Sequence, residues 1–537
     1  MSAQYDAIVI GVGVTGLYQL YKLREAGFSV KAYETGTGVG GTWYWNNYPG
    51  CRFDSESETY GYSWSEEVLK EWDWSEHFSP QPETEKYLNF VADKYDLRKD
   101  IQFESKVTKA TWDEAGQKWD IELEDGSKAS ATFLISATGP LSAFQLPKIP
   151  GLESFKGEWT HTARYPKAGL ANNNDFSGKR VGVIGTGATG VQFIQEAAKT
   201  AKELYVFQLA PEWCAPLKNS RIEKDEMEKI RANYPQMFKE CKDSFGGFLH
   251  KFDPRSIYDV TEEEREALFE DLYNKPGFGI WLGNFSEIMN KLDANAMISD
   301  FIARKIRQRV KDPKVAEQLI PKNHGFGMRR VPLETNYFEC YNQDNVHLVS
   351  LPDTPIEAIT PTGMKCSDKE YELDIIVYAT GFEGVMGALN RIDISGINGQ
   401  KLKDKWADGP RTMLGMQIVG FPNLFTLVGP HNGATFCNIP RCAEQNVEWT
   451  TDLLAHMRDK NLKRVEPTPE AEDAWTAHVD DTAKRTLFPH ADSWFMGINV
   501  NDPNKKRTFM LYAGGQQNYR AKCDEIAEKG YEGFVLR

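Results

Sequence analysis

The chain has 537 residues and a formal charge of −14, from 63 Lys and Arg against 77 Asp and Glu. Its 41% hydrophobic and 26% charged residues are ordinary for a folded protein and exclude a disordered chain, a collagen-like chain and a coiled-coil rod. The acidic surplus is a poor electrostatic footprint for a nucleic acid or an anionic membrane, so neither is expected as a partner.

The N-terminus, MSAQYDAIVIGVGVTGL, lacks a basic n-region and a cleavage site, and its apolar run is broken by Gly. It is also too short to span a bilayer. Eight Cys without a CxxC pair are expected to be reduced, mostly buried thiols. These features predict a soluble, cytoplasmic protein, with a monomer as the default.

Residues 5–10, YDAIVI, form a short apolar run of strand type. A glycine cluster follows, then LYQLYKLREAG at helical spacing, then the strand-like VKAYE: one βαβ unit. The cluster reads Gly11-Val-Gly13-Val-Thr-Gly16, and in this strand–turn–helix context GxGxxG is a dinucleotide fingerprint. Glycines let the backbone approach a pyrophosphate, and the helix N-terminus supplies N–H donors. Glu34, 18 residues after Gly16, can accept the ribose hydroxyls of an adenosine. Such a unit suits FAD or NAD.

The same syntax returns at 179–208, with the loop Gly185-Thr186-Gly187-Ala-Thr-Gly190. Counting the same 18 residues reaches Gln208, where no acid stands, and this leans the second site toward NADPH over NADH. The next residue, Leu209, offers no cation for a 2′-phosphate, so the lean is modest. Two nucleotide sites in one chain imply electron flow between a nicotinamide and a flavin, which carry the redox chemistry while the protein positions them.

Between about 220 and 320 the sequence turns charged and helix-favouring. Thr261 followed by Glu264 is a capping-box pattern, and Ile302, Ile306 and Val310 form one apolar stripe. Strand-like sequence resumes at NVHLVSL and YELDIIVYATGF. The fold expected is α/β, with two Rossmann-like dinucleotide-binding domains and a helical insertion. The FAD-binding domain takes residues 1–142 and 383–537, the NADP-binding domain 143–218 and 325–382, and the insertion 219–324.

Two further segments, GGTWYWNNYPGCRFD at 40–54 and FKGEWTHTARYP at 155–166, together with the paired glycine loops and DIIVYATGF at 374–382, resemble the Baeyer–Villiger monooxygenases, class B flavoproteins that turn ketones into esters or lactones. The likeness is nearest to the phenylacetone and cyclohexanone monooxygenase branch. It implies FAD and NADPH as cofactors, a ketone and O2 as substrates, and oxygenation through a C4a-peroxyflavin, with sulfoxidation as a side activity. Arg330, in FGMRRVPLE, matches the family's active-site Arg, a fixed positive charge beside the flavin, and Asp54 matches its carboxylate partner. Gly41, Thr42 and Trp43 fall in the flavin-associated segment, Arg329 matches a position for the 2′-phosphate, and Trp494 matches a mobile loop reaching the nicotinamide nucleotide. Phe436 and Cys437 align with a substrate-lining loop, and His161, in the 155–166 fingerprint, is assigned to domain coupling. Cys437 and Cys442 have no matching His pair, so no metal is expected.

Two positions depart from the family. The fingerprint ends Tyr165-Pro166 where Trp-Pro is usual, and Leu209 stands where an Arg is usual. Tyr at the first position is common in flavin-containing and N-hydroxylating monooxygenases acting on amines or sulfides, which stand as the alternative.

Overall fold

The computed structural model describes residues 3–433, 437–498 and 506–537. Two sheets organise the chain. In the first, the strands run in the order Asp393–Ser395, Val107–Asp113, Lys118–Leu123, Lys128–Ser136, Ala3–Ile10, Val30–Tyr33 and Ile101–Gln102. Leu424–Thr426 pairs parallel with the end of Lys128–Ser136, so segments from both ends of the chain build this sheet. Ala7, Ile8 and Val9 are fully buried at its centre, as a two-sided parallel strand requires.

The second sheet is all parallel, in the order Val346–Ser350, Glu203–Gln208, Arg180–Ile184, Ile375–Tyr378 and Glu158–His161. Its central strands read as continuous apolar runs because both faces are buried, one toward the helix Ala188–Ala197 and the other against the small antiparallel sheet of Ile356–Thr360, Gly363–Cys366 and Glu370–Glu372.

The chain crosses between the sheets twice, and the two crossings pair. Phe144 bridges Phe382 in antiparallel fashion, Gln145 N donates to the Gly381 carbonyl at 3.1 Å, and Glu383 N donates to the Ala143 carbonyl at 2.8 Å. Thr380 Oγ1 adds a bond to the Gln145 carbonyl at 2.6 Å.

The charged stretch forms helices at Lys224–Asp243, Glu262–Asn274, Leu292–Arg309 and Pro313–Leu319. Thr261 and Glu264 make the reciprocal capping box, and Ile302, Ile306 and Val310 are buried together. Among the described residues no helix is long and apolar enough to cross a membrane.

The expectation of reduced thiols throughout is corrected at one place. Cys437 and Cys442 form a disulfide where a loop enters the helix Ile439–Asp459. The turn into the helix brings their Cα atoms to 6.6 Å, within bridging reach. The other six Cys are free and buried.

Candidate active site between two dinucleotide loops

The two glycine loops are built alike. Gly11 and Gly185 open them at φ +94° and +108°, in the region that favours glycine, and their N–H groups bond the Tyr33 and Phe207 carbonyls. A Cβ on Gly16 would lie 1.9 Å from the Gly11 oxygen, and one on Gly190 would lie 2.2 Å from the Gly185 oxygen. Each third glycine is therefore demanded by backbone contact. Gly13 and Gly187 then start the helices Val14–Glu25 and Ala188–Ala197 without a capping side chain and without an acid in the first turn. Both helix N-termini keep their N–H groups and positive dipole end for an anion.

The loops differ at the middle glycine. Gly41 lies against Gly13, so that a Cβ on it would meet the Gly13 Cα at 2.8 Å, while Gly187 has no described residue within 4 Å of its Cβ position. The 40–45 segment thus folds over the first loop, with Gly40 N bonded to the Val12 carbonyl at 3.1 Å. Gly41 leads into the short helix Thr42–Trp45, and Trp43 Nε1 donates to the Tyr60 hydroxyl at 3.0 Å.

Glu34 is buried and accepts from Val12 N at 3.1 Å and from Gly36 N at 2.8 Å. Burial raises its pKa and these backbone donors oppose the rise. The Arg164 guanidinium, whose charge also acts on Glu34, covers the Trp45 ring at 4.1 Å. Arg164 lies within the 155–166 fingerprint, but no local pattern marks it as a contact of the first nucleotide unit.

Asp54 and Arg330 meet in an ion pair between the units carrying the two loops. The loop bearing Asp54 is clasped onto the second unit's helix Ala188–Ala197. Tyr48 OH donates to Gln192 Oε1 at 2.8 Å, and Gln192 Nε2 donates to the Arg52 carbonyl at 2.9 Å. Nothing in the sequence flagged Gln192, because its role comes from what the helix touches. Burial pushes the Asp54 carboxyl up and the Arg330 guanidinium opposes the rise.

Arg330 precedes the strand Leu333–Glu334, which pairs parallel with Ala215–Pro216. That strand is held by Arg309, whose guanidinium bonds the fully buried Glu334 carboxylate at 2.6 and 3.0 Å and Glu339 at 2.6 and 2.7 Å. Arg329 turns away from Asp54 and donates instead to Glu212 at 2.7 Å.

His161 packs under the paired crossings, 4.8 Å from the Phe144 ring and 6.0 Å from the Phe382 ring. Its Nδ1 accepts from Ala163 N at 3.0 Å, and burial lowers its pKa to about 4, so the imidazole is neutral near pH 7. Tyr165 is buried against Phe193 with its hydroxyl donating to Asn174 Oδ1 at 2.7 Å, a polar tip that finds its partner. Trp494 lies beside Gly384 of the returning crossing, 3.4 Å from that glycine's Cβ position. Phe436 lies outside the described residues. Cys437 is joined to Cys442, and the adjoining Asn438 N bonds the Gly246 carbonyl of the helical stretch at 2.7 Å.

Two glycine loops, two uncapped helix N-termini and a bridging ion pair define a two-dinucleotide protein of the flavoprotein type. A family model described as flavin-binding monooxygenase-like matches residues 5–225. The chain is 49% identical to the 2-oxo-Δ3-4,5,5-trimethylcyclopentenylacetyl-CoA monooxygenase of Pseudomonas putida, over 100% of this chain and 99% of that one. It is 43% identical to the methyl acetate-forming acetone monooxygenase of Gordonia sp. strain TY-5, over 99% of each, and 41% identical to a phenazine N-monooxygenase of Lysobacter antibioticus, over 99% and 97%. The crystal structure of OTEMO in complex with FAD and NADP superposes at a TM-score of 0.96, with 48% identity over the whole of both chains. The chain belongs to the Baeyer–Villiger monooxygenases. It is an enzyme, a flavin-dependent monooxygenase of that type.

Proposed function

We propose that this enzyme oxidises ketones to esters or lactones with FAD, NADPH and O2. In the net reaction, ketone, O2, NADPH and a proton give ester, NADP+ and water. The observation that carries the reading is the Asp54–Arg330 pair set between two dinucleotide loops. Relatives named for ketones and a structural neighbour holding FAD and NADP support it.

Gly11, Gly13 and Gly16 would hold the FAD pyrophosphate, Glu34 its adenosine ribose, and the 41–43 segment would cover it. Gly185, Thr186, Gly187 and Gly190 would hold the nicotinamide nucleotide, and the open space at Gly187 fits a pyrophosphate. Bound FAD would take hydride from the nicotinamide and activate O2. Arg330 would stabilise the negative charge that develops on the ketone oxygen, since a guanidinium stays protonated. Asp54 would orient that guanidinium. His161, neutral and packed at the crossings, would couple the two units rather than move a proton. Trp494 would close over the nicotinamide nucleotide and exclude water, and Phe436 and Cys437 would line the ketone pocket. Six of the eight Cys are buried free thiols against the one Cys437–Cys442 bridge, and on that balance we place the enzyme in the cytoplasm, with a monomer as the default.

The test is a panel of linear, cyclic and aryl ketones, with phenazine and a thioether beside them, under 18O2 and NADPH. One labelled oxygen in an ester or lactone is expected. Oxidation of phenazine alone would overturn the ketone reading in favour of N-oxygenation, the second reading that the Lysobacter relative and Tyr165 support.

A further inference from the structure

A 2′-phosphate is recognised by cations, and a 2′-hydroxyl by an acceptor, at the end of the strand that follows the glycine-loop helix. In the second unit that strand is Glu203–Gln208, followed directly by the loop 209–212. Thr186 Oγ1, inside the glycine loop, donates to the Ala210 carbonyl at 2.8 Å, which holds this loop over the nucleotide loop.

Three features of the strand end and this loop count against phosphate selection. Leu209 is apolar and 56% exposed, so no cation stands there. Arg329 reaches the loop and pairs with Glu212, Nη1 lying 2.7 Å from Oε1. His324 Nε2 also faces this carboxylate, at 3.3 Å. Glu212 therefore offsets the guanidinium charge and sets a carboxylate beside the strand end, which lowers the positive potential available to a phosphate dianion. Among the described residues the buried Arg329 Nε has no hydrogen-bond partner, and a donor in a neutral pair serves a hydroxyl as well as a phosphate oxygen.

The third feature is Gln208, which occupies the position of Glu34. Gly11 N bonds the Tyr33 carbonyl and Gly185 N bonds the Phe207 carbonyl, so the residues after them correspond. Gln208 is 3% exposed and its Nε2 donates to the Gln318 carbonyl at 2.8 Å. That bond fixes the amide orientation and leaves Oε1 buried without a partner among the described residues. An unpaired acceptor can receive a ribose hydroxyl, and it meets a phosphate dianion, which has no proton to donate, with repulsion.

We propose that the second nucleotide site does not select for the 2′-phosphate, so that NADH serves as reductant within about tenfold of NADPH. Glu212, Leu209 and Gln208 set this, and the inference rests on the nicotinamide-site reading above. Reduction itself is unaltered: a hydride leaves the dihydronicotinamide for FAD with either nucleotide.

Two measurements on the FAD-loaded enzyme test it. Calorimetry with 2′,5′-ADP and with 5′-AMP should give dissociation constants within about tenfold of each other. Anaerobic stopped-flow reduction of the flavin by NADPH and by NADH should give kred/Kd values equally close. Glu212→Gln and Leu209→Arg should each tighten 2′,5′-ADP by roughly tenfold or more and leave 5′-AMP unchanged. A wild-type preference for 2′,5′-ADP of roughly a hundredfold, or a Glu212→Gln variant that binds it more weakly, would overturn the inference. A flavin reduced by neither nucleotide would instead overturn the proposed function, and the inference with it.

Discussion

Arg330 donates a hydrogen bond to Asp54 across 276 residues of sequence, and the pair joins the unit of the first glycine loop to the unit of the second. Asp54 is buried while the Arg330 side chain stays one-third exposed. The carboxylate is thus the buried member and the guanidinium the member open to solvent. Arg330→Ala should lower ester formation by on the order of 10²–10³, while reduction of the flavin by the nucleotide survives. Asp54→Asn should cost less, because the charge on Arg330 remains and only its orientation loosens. Product yield and anaerobic flavin reduction, measured on the same preparations, separate the two; an Arg330→Ala enzyme with normal ester yield would remove Arg330 from the mechanism.

The middle and third glycines of the second loop should respond differently to alanine. At Gly190 a Cβ would strike the Gly185 oxygen at 2.2 Å, so Gly190→Ala should destabilise the fold by about 1–3 kcal/mol. At Gly187 the φ of −73° suits any residue, and no described residue lies within 4 Å of its Cβ position. Gly187→Ala should keep the thermal midpoint and FAD content of the wild type, yet weaken the nicotinamide nucleotide by roughly tenfold. Differential scanning fluorimetry and nucleotide titration check both halves.

Arg309 and Glu334 make a buried pair under the strand that follows Arg330. Removing one partner strands the other, so Arg309→Met should cost about 3–5 kcal/mol in urea denaturation. Arg309→Met combined with Glu334→Met should recover much of that loss, because the desolvated carboxylate is gone. A single variant as stable as the wild type would show that the pair contributes little.

Acid sensitivity follows from two buried imidazoles. Burial lowers both His161 and His431 from 6.5 to about 4. The unfolded chain therefore binds their protons at a higher pH than the native state does. Their contribution to stability is complete above pH 6.5 and is lost as the pH falls toward about 4, roughly 3 kcal/mol for each. Denaturation midpoints across that range should fall with pH, and His431→Gln should flatten the slope. An unchanged slope would mean that other groups govern the acid limb.

The residues by themselves determined both glycine loops, because each third glycine is demanded by a backbone contact local to one strand–turn–helix unit. They likewise determined the capping box at Thr261 and the buried stripe at Ile302, Ile306 and Val310, since helical spacing and capping are short-range physics. Arg330 and Asp54 were legible only through their motifs. Charge and spacing alone would have read Arg330 as a surface cation and Asp54 as a loop cap, and they meet where Gln192 clasps the 48–54 loop onto a helix of the other unit. Arg164 over Trp45, the Cys437–Cys442 bridge and the neutralisation of Arg329 by Glu212 were decided by tertiary structure. Each is an encounter between side chains whose positions are set by packing, and no local pattern encodes which of several nearby partners a flexible charged side chain or a thiol will reach.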